Sequence, residues 1–154
     1  MVRDQDLPGA VNSRLSYLFK RASLELARLQ DEALAPLGLS HGEHTVLLSI
    51  DAAEPQSQQQ MGRRIGVDRT TMVALIDGLE DKGLVARRPD DADRRRNVVE
   101  LTAAGRATLR RATKAGDKAE AQLLAGLDDT EAAQLRTFLR RVAADSDRLH
   151  PPAS

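Results

Sequence analysis

The stretch that decides the fold is residues 57–102, SQQQMGRRIGVDRTTMVALIDGLEDKGLVARRPDDADRRRNVVELT. Its first half contains two predicted helices separated by Ile65-Gly66-Val67, in which glycine permits a tight turn and both neighbours anchor the core. The second helix is predicted from apolar residues three and four positions apart, namely Met72, Leu75, Ile76 and Leu79. This order predicts a helix-turn-helix, a motif that places side chains in a DNA groove.

A charged hairpin is predicted directly after the second helix. Gly83 ends that helix, and the β-prone runs 85–88 and 98–101 flank a charged loop. Between residues 82 and 96, six basic residues stand against three acidic ones, whereas the whole chain has no net charge. A basic hairpin in this position is typical of a wing. The expected fold is therefore mainly α, a winged helix-turn-helix with about six helices and a small β-hairpin.

Further helices are predicted on both sides of this unit. Between Val11 and Ala33, apolar residues alternate in steps of four and three, which is a heptad-like seam. A second apolar stripe lies near the C-terminus, at Leu135, Phe138, Leu139 and Val142. Such seams need partner helices. The partner is either another segment of the same chain or a second subunit.

Composition excludes several classes of protein. The 154 residues are 41% hydrophobic but only 2% aromatic, which favours one domain of closely packed helices. The absence of cysteine excludes disulfides, thiolate catalysis and zinc–thiolate sites. We find no nucleophile–base pair or phosphate-binding loop, so we expect neither an enzyme nor a bound cofactor or metal. Without a leader or a membrane-spanning run, the expected location is cytoplasmic, with no membrane partner.

Candidate DNA contacts lie at the start of the second helix. Arg69 can pair with a guanine edge, and Thr70 and Thr71 can contact a base or a phosphate. In the alternative interpretation, a threonine here only supports the helix cap and Arg69 is a solvated surface residue. Arg63, on the preceding helix, is expected to touch the DNA backbone.

The predicted wing loop supplies a second group of candidates. Three arginines at its tip, Arg94, Arg95 and Arg96, stand beside acidic residues. We expect Asp93 to hold one of them in a salt bridge while another extends into a minor groove, where arginine is attracted electrostatically. The alternative is a charged loop that is merely solvated.

Taken in order, these segments resemble the MarR family of bacterial transcriptional regulators, over roughly residues 11–147. The resemblance is carried by Leu37-Gly38-Leu39-Ser40, Asp68-Arg69-Thr70-Thr71, residues 75–85, and Asp93-Arg94-Arg95 followed by residues 101–105. The sequence departs from many relatives at Ala74, where they carry an arginine. We therefore expect a different operator preference, with a larger share for Arg69, the threonines and the wing.

The resemblance implies that residues 1–154 form one subunit of a homodimer. It assigns 11–36 and 118–147 to dimerisation and 40–102 to the DNA-binding lobe. It also implies a repressor on pseudo-palindromic double-stranded DNA, released by a small aromatic or phenolic effector. Candidate effector-pocket residues are Arg14, Tyr17, Arg21, His41 and His44.

Two other functions are left open. The winged helix could serve protein interactions without specific DNA binding, or a regulator could respond to a metal through His41 and His44. A structural zinc site usually needs four protein ligands, which these two residues do not provide.

Overall fold

The computed structural model describes residues 13–52, 61–62, 65–89 and 97–149, with only the backbone for 145–149. Five α-helices and one two-stranded sheet are described. In chain order they are α1 (Leu15–Leu34), α2 (His41–Asp51), α3 (Arg69–Asp81), β1 (Val85–Pro89), β2 (Asn97–Leu101), α4 (Ala103–Leu123) and α5 (Asp129–Leu149), with a 3-10 turn at Ala35–Leu37.

Side-chain caps start α2, α3 and α4. Ser40 and Glu43 form a reciprocal capping box at the start of α2, which satisfies two otherwise unpaired backbone N–H groups. Asp68 caps α3, and Thr102 caps α4 by accepting from the Gly105 N–H. Ser40, Asp68 and Thr102 are residue types that the sequence alone favours as helix N-caps.

The predicted hairpin is confirmed. Strands β1 and β2 are antiparallel, with Val85 opposite Leu101 and Pro89 opposite Asn97. Gly83 has a φ of +68°, a left-handed conformation that ends α3 and turns the chain into β1. Of the first helix of the helix-turn-helix, Met61, Gly62 and Ile65 are described and are helical. The described helices are thus close in number to the six expected.

The core lies between α2, α3, the hairpin and α4. Its fully buried side chains are aliphatic, as the low aromatic content predicted: Leu34, Val46, Leu47, Met61, Met72, Ile76, Leu79 and Val99. Helix α1 packs mainly against α4, and this contact buries only the C-terminal half of the α1 seam. Towards the N-terminus, Leu15 and Leu18 remain 69% and 49% exposed.

Helix α5 lies largely free of the rest of the subunit. Every residue from 133 to 144 is exposed, although four large apolar side chains lie among them. A 3.1 Å ion pair between Arg136 on α5 and Glu120 on α4 connects α5 to the rest of the described subunit. The apolar stripe of α5 is therefore exposed in the described subunit.

Among the described helices, none is both long and apolar enough to cross a membrane.

Candidate nucleic-acid interface

The start of α3 is fixed by Asp68. Its carboxylate accepts hydrogen bonds from the Thr71 N–H at 3.0 Å and from the Thr71 hydroxyl at 2.6 Å. The hydrogen bond from the Thr71 side chain is the main cause that lowers the pKa of Asp68. Thr71 thus supports the cap in this structure, and its contact with DNA stays a prediction.

Arg69 and Thr70 lie at the same helix start and are exposed. Neither side chain has a hydrogen bond or ion pair with another described residue, and both line an open depression that continues along the helix. The opposite face of α3 is buried through Met72, Ile76 and Leu79. Packing in the core therefore turns a fixed set of side chains outwards: Arg69, Thr70, Val73, Ala74 and Asp77.

Arg87 on β1 attaches the hairpin to α3. The guanidinium of Arg87 pairs with both Asp77 and Glu80. The backbone N–H of Arg87 also donates to Glu80 Oε1 at 3.3 Å. The three charged groups fix the position of the hairpin relative to the outward face of α3. This role of Arg87 is not among those predicted from the sequence. A signal was present, because Asp77 and Glu80 are three positions apart and so share one side of the helix.

The other end of α3 is held by Lys82. Its ammonium group lies 2.7 Å and 2.8 Å from the two carboxylate oxygens of Glu43 and 2.7 Å from the carbonyl oxygen of Gly38. Glu43 is buried, and it also accepts from the Ser40 N–H as part of the capping box. The end of α3 is thereby tied to the junction between α1 and α2.

Part of the predicted interface lies outside the described residues. This applies to Arg63 and to the wing tip with Asp93, Arg94, Arg95 and Arg96. At the described base of the wing, Arg88 forms an ion pair with Glu100 across the hairpin at 2.6 Å. The roles predicted for the tip arginines stay predictions, because residues 90–96 lie outside the described part of the chain.

The candidate effector residues fall into two groups, one at the start of α1 and the other at the start of α2. Arg14 is the exposed N-cap residue of α1, and the Arg21 guanidinium lies 6.0 Å from the ring centroid of Tyr17, which is within cation–π range. On α2, His41 is exposed and its N–H donates to Asp31. One turn later His44 is buried. The structure thus pairs Tyr17 with Arg21, and the pocket itself stays a prediction.

His44 packs against Gly116 of α4, where an added Cβ would lie 3.2 Å from the imidazole Cε1. Burial is the main cause that lowers the pKa of His44, with repulsion from His41 next. Its Nε2 has no hydrogen-bond partner among the described residues. Within the same part of the chain, no three His, Cys, Asp or Glu side chains are placed to hold a metal ion.

Comparison with known proteins places this geometry in a family. The sequence profile described as "MarR family" matches residues 39–96. The transcriptional repressor CouR bound to a 23-mer DNA duplex is 33% identical, with a TM-score of 0.82, and the match covers 90% of this chain and 99% of CouR.

Two further solved structures are similar over most of the chain. CouR from Rhodococcus jostii RHA1 bound to p-coumaroyl-CoA is 28% identical in this comparison, with a TM-score of 0.78 and coverage of 96% and 99%. Wild-type MarR from E. coli in its apo form is 28% identical, with a TM-score of 0.75 and coverage of 84% and 96%. The chain therefore belongs to the MarR family of winged-helix transcriptional regulators.

Proposed function

We propose that this protein is a homodimeric repressor that binds a pseudo-palindromic DNA operator and releases it when a small effector binds. The observation that carries the DNA-binding part is the outward face of α3. At its start, Asp68 engages Thr71 and leaves Arg69 and Thr70 exposed, while Arg87 ties the hairpin to Asp77 further along the same face. A repressor of similar sequence and fold, CouR, was solved on a DNA duplex.

The proposed contacts divide into base and backbone contacts. Arg69 and Thr70 are assigned to base edges in the major groove, where an arginine can form two hydrogen bonds with guanine. Arg63 is assigned to the backbone, and the wing arginines Arg94, Arg95 and Arg96 to a neighbouring minor groove, with Asp93 orienting one of them. Thr71 contributes through the helix cap.

Dimerisation is supported by exposed apolar side chains on the first and the last described helix. Leu15, Leu18 and Phe19 on α1 are exposed, as are four large apolar residues on α5. Exposed apolar side chains in this number, on two helices, mark a protein interface. We assign this surface to a second copy of the chain, within the dimerisation segments 11–36 and 118–147. A two-fold dimer would present two copies of the 40–102 lobe to symmetric half-sites.

An aromatic acid or its thioester is the effector class that the side chains favour. Arg14 and Arg21 can pair with a carboxylate or phosphate, and Tyr17 supplies an aromatic surface. His44 adds a buried nitrogen that lacks a protein partner among the described residues. CouR was solved with p-coumaroyl-CoA, a molecule that combines an aromatic acyl group with phosphates.

The test measures binding of the purified protein to the DNA upstream of its own gene. Fluorescence anisotropy reports the binding at several salt concentrations. A scrambled duplex is the competitor, and salicylate and p-coumaroyl-CoA are added in separate titrations. We expect tight binding with one dimer per site, a strong salt dependence, and release by at least one of these compounds. Weak binding at every salt concentration, equal for operator and scrambled DNA, would instead support a protein-interaction role.

Three arginine variants separate the proposed contacts. Arg94→Ala and Arg95→Ala should weaken operator binding with little loss of stability, and Arg69→Ala should also relax discrimination among operator variants. Arg140→Ala, an exposed arginine on α5, is the matched control for the loss of one positive charge. Unchanged affinity in both wing variants and in their double variant would remove the wing from the interface.

A further inference from the structure

The middle of the outward face of α3 is apolar. Val73 is half-buried and Ala74 is exposed, and both lie in the depression between Arg69 and Thr70 at one end and Asp77 at the other. Positions 70, 73, 74 and 77 follow the helical spacing that places residues on one face. This face therefore reads, from the helix start, as cationic and polar, then apolar, then acidic.

The charge at the acidic end is already compensated. Asp77 forms an ion pair with Arg87, so it adds little repulsion towards a phosphate backbone. Arg69 supplies positive charge one turn earlier. The face can thus approach DNA, and its centre would meet base edges with methyl groups alone.

Methyl groups select one feature of the major groove. Guanine, adenine and cytosine present hydrogen-bond donors or acceptors on the groove edge, whereas thymine also presents its C5-methyl group. A polar base edge pressed against Val73 and Ala74 would lose its water without gaining a partner, which is unfavourable. A thymine methyl would instead gain apolar contact.

We propose that Val73 and Ala74 are specificity-determining residues that read thymine methyl groups in each operator half-site. This inference rests on the proposed DNA-binding function and deepens it. Because α3 rises about 5.4 Å per turn and DNA about 3.4 Å per base pair, the thymine lies about one or two base pairs from the base read by Arg69 or Thr70.

The experiment begins with selection of operator sequences from a random duplex pool by the full-length protein. Each thymine of the selected site is then replaced by deoxyuridine, which removes only the C5-methyl group. At one or two thymines in each half-site, we expect the replacement to lower the affinity about fourfold. A loss of this size corresponds to the burial of one methyl-sized group. Replacing the same base pair by 5-methylcytosine with guanine should lose less affinity than replacing it by cytosine with guanine.

Two variants connect this effect to the protein. Val73→Thr keeps the side-chain shape but exchanges a methyl for a hydroxyl, and Ala74→Ser adds a hydroxyl. In each variant, the ratio of the affinity for the thymine operator to the affinity for the deoxyuridine operator should fall towards one. Ala107→Ser, at an exposed alanine inside α4, is the matched control and should keep the full preference.

The outcomes separate this inference from the proposed function. Specific operator binding that stays within twofold for every deoxyuridine replacement would overturn the reading of thymine by Val73 and Ala74 and leave the regulator intact. A methyl effect that is unchanged in both variants would assign thymine reading to other residues. Failure of the selection to enrich any sequence would overturn both proposals.

Discussion

Lys82 and Glu43, 39 positions apart in the chain, form an ion pair that ties the end of α3 to the start of α2. The carboxylate is buried, whereas the ammonium group is partly exposed. Glu43 also closes the capping box with Ser40. The pair therefore couples the orientation of the DNA-facing helix to the α1–α2 junction, which is followed by the candidate effector residues His41 and His44 on α2.

Removing the ammonium group should destabilise the protein and weaken operator binding. Lys82→Met keeps the unbranched apolar part of the side chain but leaves the Glu43 carboxylate with only its backbone partner, at a cost of about 1–2 kcal/mol in the free energy of unfolding. Urea denaturation measures this change. Glu25→Gln, which breaks an exposed ion pair with Arg28, is the control and should leave the unfolding midpoint almost unchanged. Equal midpoints for the two variants would contradict the coupling.

A single methyl group at Gly105 should prevent close packing of α4 on the hairpin. An added Cβ would lie 1.9 Å from the carbonyl oxygen of Leu84, which is backbone and cannot rotate away. Gly105→Ala should therefore cost about 3 kcal/mol or more, seen as a lower thermal midpoint. Gly126→Ala is the matched control, because no described atom lies within 4 Å of its added Cβ. A Gly105→Ala protein as stable as this control would show that α4 can shift.

Stability should fall as the pH is lowered below about 6.5, in part because of His44. Burial lowers the pKa of His44 from its ordinary value of 6.5, so the unfolded chain takes up a proton before the folded protein does. The contribution is fully present above 6.5 and is lost as the pH falls through the lowered folded pKa. Urea midpoints between pH 5 and 7.5 measure the slope.

The imidazole is tested by substitution at each histidine of α2. His44→Gln should flatten the pH profile in this range, whereas His41→Gln, at an exposed position, should retain most of the slope. A profile that is identical in the wild type and in His44→Gln would assign the pH dependence to other groups.

The sequence predicts the local features of this fold better than the long-range ones. The cap at Asp68 and the left-handed Gly83 depend on residues within a few positions, so a short stretch of sequence contains the whole interaction. The pairs of Lys82 with Glu43 and of Arg87 with Asp77 depend on how helices and strands pack. The chain contains 23 acidic and 23 basic residues, and their order alone does not show which of them meet.

The anchor of the wing should affect DNA binding more than it affects stability. Arg87→Met removes the ion pairs with Asp77 and Glu80 while keeping an unbranched apolar side chain in place of the aliphatic part of the arginine. We expect operator affinity to fall about fivefold to tenfold, the cost of about 1 kcal/mol of lost positioning. Hydrogen exchange in β1 and β2 should become faster.

The control for Arg87→Met must lose the same charge at a site outside the proposed interface. Arg111→Met, at an exposed residue of α4, meets this condition. If both variants lose affinity equally, net charge explains the effect and the ion pairs of Arg87 do not position the wing.

The exposed apolar face of α5 gives the most direct test of the dimer. Phe138 is 55% exposed in the subunit, so Phe138→Asp should leave the fold of the subunit intact while placing a charge in the proposed interface. Burial of an unpaired carboxylate is strongly unfavourable, and we expect a monomer at micromolar concentration in sedimentation velocity.

The control for this variant is Arg140→Asp, which also introduces a negative charge. Helical spacing places residue 140 on the face of α5 opposite the apolar stripe, so the Arg140→Asp protein should remain dimeric. A dimer gains affinity from contacting both half-sites, whereas a monomer contacts only one. The affinity of the Phe138→Asp monomer for a full operator should therefore equal its affinity for a duplex with a single half-site. A Phe138→Asp dimer as stable as the wild type would mean that the second copy is held by another surface, and the assignment of α5 to dimerisation would then be wrong.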